Sequence, residues 1–238
     1  MLTDSEVEEM PLYRGANLFQ LTRTGSLVDS SSTLTFSREP TGIGFDPSTQ
    51  ALFISDDDKY EIFIVRPGLD GRYGTADDPL TSFSTEAFGN RDPEDLVFDP
   101  DSAHLFVTDG IGAEVYDIAA VNGVFGDGDD YVAHFDVAQY GNRDCEGIGY
   151  DPKRKTLLVV DSRESKIFEL TRAGELVRII SLSTARDANR ALAAVTVAPT
   201  SNPNDSPSAT SYWVTDRRVD NNADPNENDG RIYEVLLP

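Results

Sequence analysis

The stretch that decides the fold is residues 144–176, DCEGIGYDPKRKTLLVVDSRESKIFELTRAGEL. It contains short runs rich in valine, isoleucine, leucine and aromatic residues, and Asp-Pro, serine and glycine positions separate these runs. Short apolar runs with such punctuation are typical of β-strands joined by tight turns. The stretch therefore predicts consecutive short antiparallel strands.

The same pattern recurs along the chain. A second run that ends in aspartate occurs in four units, as ALFISD (51–56), HLFVTD (104–109), TLLVVD (156–161) and SYWVTD (211–216). A fifth, incomplete unit opens the chain. The closing residues, which we call the marker aspartates, are Asp4, Asp56, Asp109, Asp161 and Asp216. They lie 52, 53, 52 and 55 residues apart, and this near-constant period indicates an internal repeat.

Four short antiparallel strands per unit, repeated radially, predict an all-β fold, a β-propeller that forms one domain over residues 1–238. The units are predicted at about 1–38, 39–91, 92–143, 144–190 and 191–238. Because the first unit lacks its first strand and the last unit lacks its fourth, we expect five blades, of which the first and last are incomplete. A six-bladed ring is the alternative, although it would need far more sequence.

Glycines mark the first strand of two units, at Gly42, Gly44, Gly147 and Gly149. The first strand of each unit is the innermost strand of a propeller blade. Glycine there would allow neighbouring strands to approach closely around a narrow axis. The alternative is that these glycines mark β-bulges.

The composition narrows the range of partners. The chain has 238 residues and a formal net charge of -22, with 42 acidic against 20 basic side chains. Such a charge repels phosphate groups, so we expect neither nucleic acid nor an anionic membrane as a partner. No apolar run is long enough to span a bilayer. With one cysteine and two histidines, any bound metal must have mostly oxygen ligands, which favours calcium or magnesium.

Two matching acidic loops are candidate calcium sites, DGRYGTADD (70–78) and NGVFGDGDD (122–130). Calcium takes six to eight oxygen ligands, which a tightly turned loop of carboxylates and carbonyls can supply. The ligands predicted in these loops are Asp70, Asp77, Asp78, Asn122, Asp127, Asp129 and Asp130. The alternative is a pair of ordinary turns whose aspartates accept hydrogen bonds from nearby backbone N–H groups.

A third acidic loop covers residues 216–230, and its predicted metal ligands are Asp220, Asp224 and Asp229. Its carboxylates would repel one another unless a cation neutralised them. A solvated polar loop is the alternative here.

The unit pattern D-x-E-G-I-x-(Y/F)-D-P, followed by L-x-V-x-D and (K/R)-I-(F/Y)-E-(L/V), resembles bacterial β-propellers of the NHL, gluconolactonase-like and SdiA-regulated groups. The resemblance covers nearly the whole chain. In the gluconolactonase-like group a glutamate at the start of strand one helps to hold an axial divalent ion. The resemblance therefore implies that Glu94 and Glu146 are metal ligands at the ring mouth, although the missing first strand departs from that pattern.

Other recurring residues favour structural roles. We expect the marker aspartates to cap the turns that follow them. Arginines precede the first strand at Arg38, Arg91, Arg143 and Arg190, and we expect them to form salt bridges with the marker aspartates rather than an anion-binding mouth. His104 and His134 lie too far from the axis for nucleophilic catalysis, Cys145 is predicted to be a packed residue, and Trp213 is predicted to lie in the core.

These features together predict a calcium-stabilised propeller that serves as a binding or scaffold module, and they favour this function over an enzymatic one. The alternative is a divalent-metal-dependent hydrolase of lactonase or phosphoesterase type with an axial metal. The sequence MLTDSEVEEM (1–10) lacks a signal-peptide pattern, so the predicted extracellular or cell-surface location implies a longer precursor. Expected partners are a protein or carbohydrate ligand, and an unpaired sheet edge could pair with another chain.

Overall fold

The structure is a computed structural model that describes residues 1–5, 15–182, 191–217 and 230–236. Within these residues the chain forms strands and two short 3-10 turns, and no α-helix occurs among them. The strands form five antiparallel sheets in chain order, and strands adjacent in sequence are hydrogen-bonded neighbours. The protein is a five-bladed β-propeller, as the repeat predicted.

The three complete sheets have four strands each. The second sheet contains β4 (Pro40–Asp46), β5 (Ala51–Asp56), β6 (Glu61–Val65) and β7 (Leu80–Ser84). The third contains β8 (Pro93–Asp99), β9 (His104–Asp109), β10 (Glu114–Ala119) and β11 (Tyr131–Asp136). The fourth contains β12 (Cys145–Asp151), β13 (Thr156–Asp161), β14 (Lys166–Leu170) and β15 (Leu176–Ser181). The 3-10 turns, Glu86–Phe88 and Ala138–Tyr140, follow the second and third sheets.

The first and last sheets have three described strands each. The first contains β1 (Leu2–Thr3), β2 (Leu18–Leu21) and β3 (Leu27–Ser31). The fifth contains β16 (Leu192–Pro199), β17 (Thr210–Asp216) and β18 (Arg231–Val235). By alignment of the repeats, β1 corresponds to the second strand of a unit and β18 to the third. The described residues thus give the first sheet no innermost strand and the fifth sheet no outermost strand, which confirms the prediction.

The innermost strands β4, β8, β12 and β16 pack side by side around the axis. A Cβ atom on Gly42 would lie 2.4 Å from the Cα of Asp95, and one on Gly147 would lie 2.5 Å from the carbonyl oxygen of Ala193. Such distances are too short for any side chain. The register of β4 also shifts between Pro40 and Gly42, and β12 has a similar shift. Both interpretations are therefore correct for Gly42 and Gly147, whereas Gly44 and Gly149 pair regularly with Phe53 and Leu158.

Asp95 ties three innermost strands together. One carboxylate oxygen accepts hydrogen bonds from the backbone N–H groups of Leu96, at 2.8 Å, and Ile43, at 3.3 Å. The other oxygen accepts one from the N–H of Ile148 on β12, at 2.9 Å. Burial raises the pKa of this carboxyl group to about 7. Gly42, Gly147 and Ala194 occupy the same position in the other units, so Asp95 is the one charged residue at this aligned position.

Apolar side chains fill the spaces between successive sheets. Among the described residues, each of the four interfaces between successive sheets, from the first to the fifth, holds one buried cluster. In chain order the clusters include Leu18 with Phe63, Ile62 with Leu105, Phe106 with Val159, and Val160 with Val214. No such cluster lies between the fifth and first sheets within the described part of the chain. We call this interface the seam. The Arg23 guanidinium crosses it and donates a hydrogen bond to the carbonyl of Thr200, at 3.3 Å.

Candidate metal sites

The ring mouth is the end of the propeller where innermost strands begin and second strands end. Asp57 follows β5, Asp92 precedes β8 and Glu94 lies within β8. Each supplies a carboxylate oxygen, and these oxygens lie within 4.8 Å of one another. Gly110 leaves room for them, because a Cβ there would lie 2.6 Å from the Oδ2 of Asp92. Three carboxylates so close together can share a cation or a proton.

The electrostatics of this group reflect burial among like charges. Burial, followed by the charges of Glu146, Asp92 and Asp57, raises the pKa of Glu94 to about 9. Burial likewise raises the pKa of Asp57 to about 6. The Oδ1 atom of Asp57 is buried and has no hydrogen-bond partner among the described residues. The group is therefore costly to ionise without a compensating positive charge.

Glu146 occupies the same position in its unit as Glu94, but the structure gives it a different partner. Its two oxygens face the two terminal nitrogens of the Arg217 guanidinium, one of them at 3.1 Å, as a bidentate pair. Arg217 follows its marker aspartate, as Asp57 does in the second unit. Burial raises the pKa of Glu146 to about 7, although Arg217 opposes the shift. The structure thus separates the two predicted mouth ligands, with Glu94 in a carboxylate group and Glu146 in an ion pair.

The first acidic loop joins β6 to β7 and satisfies its own carboxylates. Asp77 accepts a hydrogen bond from the N–H of Leu69, at 2.7 Å, and Asp78 accepts one from the N–H of Gly68, at 3.0 Å. The Thr75 hydroxyl lies 2.9 Å from Asp77 and 3.0 Å from Asp78. These donors, the Thr75 hydroxyl first, lower the pKa of Asp77. Asp70 accepts a hydrogen bond from the N–H of Arg72, two residues later, as in an Asx turn.

The second acidic loop joins β10 to β11 and has fewer donors. The amide of Asn122 donates to Asp127, and Gly126 N–H donates to Asp130 at 2.7 Å. The carboxylate oxygens of Asp127 and Asp129 lie within 4.8 Å of each other. Partial loss of hydration, followed by the interaction with Asp127, raises the pKa of Asp129, whereas the Asn122 amide lowers the pKa of Asp127. The Oδ1 atom of Asp130 is buried with no partner among the described residues. This loop combines carboxylate repulsion with an unsatisfied oxygen.

The two loops have equivalent backbones. In the first, Gly71 and Gly74 have φ values of +71° and +75°, and in the second, Gly123 and Gly126 have +83° and +84°. An aromatic residue anchors each loop. The Phe125 ring lies 5.4 Å from that of Phe53, edge to face, and Tyr73 packs against the cluster between the first two sheets. In each loop the three predicted carboxylates lie within 4.8 Å of one another.

The third predicted loop cannot be compared in this way. Asp220, Asp224 and Asp229 lie outside the described residues, and so does Arg190.

Three of the marker aspartates, Asp56, Asp109 and Asp161, cap the turns that follow them, as expected. Asp109 accepts from the N–H of Gly112, at 2.7 Å, and Asp161 accepts from the N–H of Glu164, at 2.8 Å. The predicted salt bridges between arginines and marker aspartates were wrong for Arg143 and Arg91. Asp161 accepts the backbone N–H of Arg143, at 2.9 Å, rather than a guanidinium group. The Arg91 guanidinium instead pairs with Glu86 in the preceding 3-10 turn, at 3.2 Å.

The remaining singled-out side chains lie away from the mouth. His104 pairs with Asp117 at 2.7 Å, and His134 with Glu114 at 3.2 Å. Cys145 is fully buried, and burial raises its thiol pKa well above the usual value, which confirms a packing role. The core prediction for Trp213 was wrong. Trp213 is half-buried on β17 and lines the seam, because the adjacent Tyr212 and Val214 occupy the core-facing side.

Comparison with known proteins supports the fold. A family model described as SdiA-regulated matches residues 128–196. A virginiamycin B lyase from Staphylococcus aureus shares 14% identity with a TM-score of 0.50, over 92% of this chain and 62% of that one. A catalytically inactive variant of virginiamycin B lyase from that organism, solved with quinupristin, shares 14% identity with a TM-score of 0.50. The match covers 90% of this chain and 61% of that one. No curated protein matches the sequence.

At this identity the structural similarity shows the fold alone, and it confirms the resemblance to β-propellers. The chain spans about three fifths of the length of these two structures. In the described residues no helix is long and apolar enough to cross a membrane.

Proposed function

We propose that the protein is a calcium-stabilised β-propeller that acts as a binding or scaffold module outside the cell. The observation that carries the proposal is the second acidic loop. Its Asp127 and Asp129 carboxylate oxygens lie within 4.8 Å of each other, and a buried oxygen of Asp130 has no donor among the described residues. Calcium between them would replace repulsion with attraction and supply the missing partner.

A location outside the cell fits weak calcium sites. Loops of this kind, without a bidentate glutamate, resemble extracellular modules whose calcium dissociation constants are on the order of 0.1–1 mM. Extracellular calcium is concentrated enough to fill such sites. Binding to the folded state alone would stabilise it by about 2.7 kcal/mol at a hundredfold excess over Kd.

The test compares thermal unfolding in chelator, calcium, magnesium and matched sodium chloride. We expect chelator to lower the melting temperature, Tm, by several degrees and calcium to restore it. Magnesium should restore less, because its smaller shell requires stricter octahedral geometry. Sodium chloride should restore only part, because screening acts on all 42 carboxylates alike. Equal stabilisation by salt at the same ionic strength would contradict the proposal.

A second candidate function has one observation in its favour. The group formed by Asp57, Asp92 and Glu94 at the ring mouth could hold an axial divalent ion, which would polarise a carbonyl group or water in a lactonase or phosphoesterase reaction. Anomalous scattering from calcium-soaked crystals separates the two functions. An ion at the mouth with an open coordination position favours the hydrolase, and ions only in the outer loops favour the binding module.

The partner of a binding module would be a protein or carbohydrate ligand, or a strand from another chain. Among the described residues β1 and β18 each pair on one side only, which supports the last of these, since unpaired edges recruit other strands.

A further inference from the structure

The second acidic loop begins with Asn122 and Gly123, which form the one Asn-Gly pair in the sequence. Both residues are exposed. A Cβ atom built on Gly123 would meet nothing within 4 Å apart from its chain neighbours, so no other group crowds this residue. In an Asn-Gly pair the next backbone nitrogen attacks the side-chain amide most readily, because glycine has no Cβ to block the approach and adopts many backbone conformations.

The loop holds the Asn122 side chain beside that nitrogen. The Oδ1 atom of Asn122 accepts a hydrogen bond from the N–H of Val124, at 2.8 Å, as in an Asx turn. The ring that this bond closes contains the backbone nitrogen of Gly123, and the bond also makes the amide carbon a better electrophile. The Gly123 N–H donates to the carbonyl of Ala120, at 3.1 Å, and this exposed turn must open before the nitrogen attacks.

A carboxylate lies at the other end of the same amide. The Nδ2 atom of Asn122 donates a hydrogen bond to the Oδ2 atom of Asp127. This donor is the largest of the interactions that lower the pKa of Asp127. An ionised carboxylate beside the departing nitrogen can relay the proton that this nitrogen gains as it leaves.

The other asparagines in the described part of the chain lack one of these two features. Asn17, Asn90 and Asn142 are at most 1% exposed, and a residue with a side chain follows each of them. Asn202 and Asn204 are exposed, but the first precedes proline, whose nitrogen has no proton to lose, and the second precedes aspartate. Among the described residues Asn122 alone combines exposure with a following glycine.

The first acidic loop already contains the product of the expected reaction. Asp70 and Gly71 occupy the positions of Asn122 and Gly123. Asp70 accepts the N–H of Arg72, at 2.9 Å, in an equivalent Asx turn. The φ values of the two glycines, +71° and +83°, are similar. The backbone of these loops therefore accommodates an aspartate at this position.

We propose that Asn122 is a site of spontaneous deamidation through Gly123, which turns an amide of the second loop into a further carboxylate. The backbone nitrogen of Gly123 forms a bond to Cγ of Asn122, and the bond from Cγ to Nδ2 breaks. The proton of the Gly123 N–H leaves with Nδ2 as ammonia. One molecule of solvent water then opens the cyclic imide and gives aspartate or isoaspartate, with no oxidation or reduction.

The aspartate product changes the charge balance of the loop. The loop loses the donor that Asn122 provides to Asp127, and it gains a carboxylate near the three that already lie within 4.8 Å of one another. Without a cation this loop becomes less stable, and with calcium it binds more tightly, because ligand charge tunes calcium affinity. This consequence rests on the proposed calcium function, whereas the reaction itself does not.

The first experiment follows the reaction by peptide mapping and mass spectrometry of protein kept for days in chelator at mildly alkaline pH. We expect the peptide that contains Asn122 to gain mass as its amide becomes an acid, and fragmentation distinguishes aspartate from isoaspartate. Gly123→Ala should slow this change about tenfold, because an added Cβ hinders the attack. The matched control Gly71→Ala alters the equivalent glycine of the first loop and should leave the rate unchanged.

Two results of this experiment would overturn the proposal. One is an unmodified Asn122 after the incubation. The other is an equal rate in the wild type and in Gly123→Ala, which would mean that the amide is lost by direct hydrolysis and not through the backbone nitrogen.

The second experiment measures the consequence with Asn122→Asp, which supplies the aspartate product directly. Its Tm in chelator should lie below that of the wild type, and calorimetric titration should give a calcium Kd about tenfold lower. The aspartate form isolated from incubated wild type by ion exchange should behave alike. Unchanged calcium affinity in Asn122→Asp would contradict the consequence. Deamidation at Asn122 without calcium binding in either protein would contradict only the calcium function.

Discussion

The two acidic loops share a length, a backbone conformation and most of their aspartates, yet they differ in the hydrogen-bond donors that reach their carboxylates. In the loop after β6, donors from the loop itself surround Asp77 and Asp78. In the loop after β10, Asp129 has a raised pKa beside the carboxyl group of Asp127, and a buried oxygen of Asp130 has no partner among the described residues. A similar density of acidic residues therefore does not mean a similar need for a cation.

One aligned position accounts for much of this difference. Thr75 in the first loop corresponds to Asp127 in the second. The threonine hydroxyl is a donor to the carboxylates that follow it, whereas the aspartate is an acceptor and adds a charge. Because of this exchange, the first loop is stabilised by hydrogen bonds and the second would be stabilised by a divalent ion.

The largest expected effect comes from removing the charge at this position. Asp127→Thr should abolish most of the calcium-induced rise in Tm, because it removes a ligand and supplies a donor in its place. In chelator the variant should be at least as stable as the wild type. Differential scanning calorimetry with and without calcium measures both values. A full calcium response in Asp127→Thr would break the comparison and move the calcium site elsewhere.

The ring mouth, like the second loop, holds three carboxylates close together, but Glu94 there is more buried. The pH dependence of stability tests whether this group keeps a proton. The pKa of Glu94 is raised to about 9 in the folded protein, against 4.5 for an unperturbed glutamate. Between these values the folded state keeps a proton that the unfolded chain has lost, so stability falls as pH rises toward 9. In chelator we expect Tm to fall by a few degrees between about pH 6 and about pH 9.

The variant Glu94→Gln should flatten this pH dependence, because glutamine does not titrate and relieves the repulsion. The matched change Glu86→Gln alters an exposed carboxylate outside the group and should keep the wild-type slope. If both variants retain that slope, other carboxyl groups of the mouth govern the titration.

The reciprocal exchange in the first loop should have a smaller effect. Thr75→Asp removes the hydroxyl donor of Asp77 and Asp78, which should cost about 1 kcal/mol in chelator. The new carboxylate should also strengthen any calcium response of the first loop. We expect calcium to raise the Tm of Thr75→Asp, combined with Asp127→Thr, more than that of Asp127→Thr alone. No gain would show that the backbone of the first loop, and not its donor, excludes the ion.

The sequence predicted the fold better than the sites. Blade number and the missing strands followed from the marker aspartates, because their turn-capping role is local and repeats in every unit. Asp57 and Asp92 were not predicted to join Glu94, since their proximity depends on how two blades pack. The pairing of Glu146 with Arg217 joins residues 71 apart and has no local signal. The exchange of Thr75 for Asp127 was visible in the alignment, but residue type alone does not show which donors reach the carboxylates.

The smallest expected effect concerns the first position of the two loops, where Asp70 and Asn122 accept equivalent hydrogen bonds. Asp70 accepts the N–H of Arg72 at 2.9 Å, and Asn122 accepts the N–H of Val124 at 2.8 Å. Because the side-chain oxygen of asparagine makes the same turn, Asp70→Asn should change stability by less than about 0.5 kcal/mol. Its calcium response should equal that of the wild type if, as we propose, the second loop is the source of that response. Loss of the calcium response in Asp70→Asn would show instead that the first loop binds the ion, with its hydrogen bonds rearranged around it.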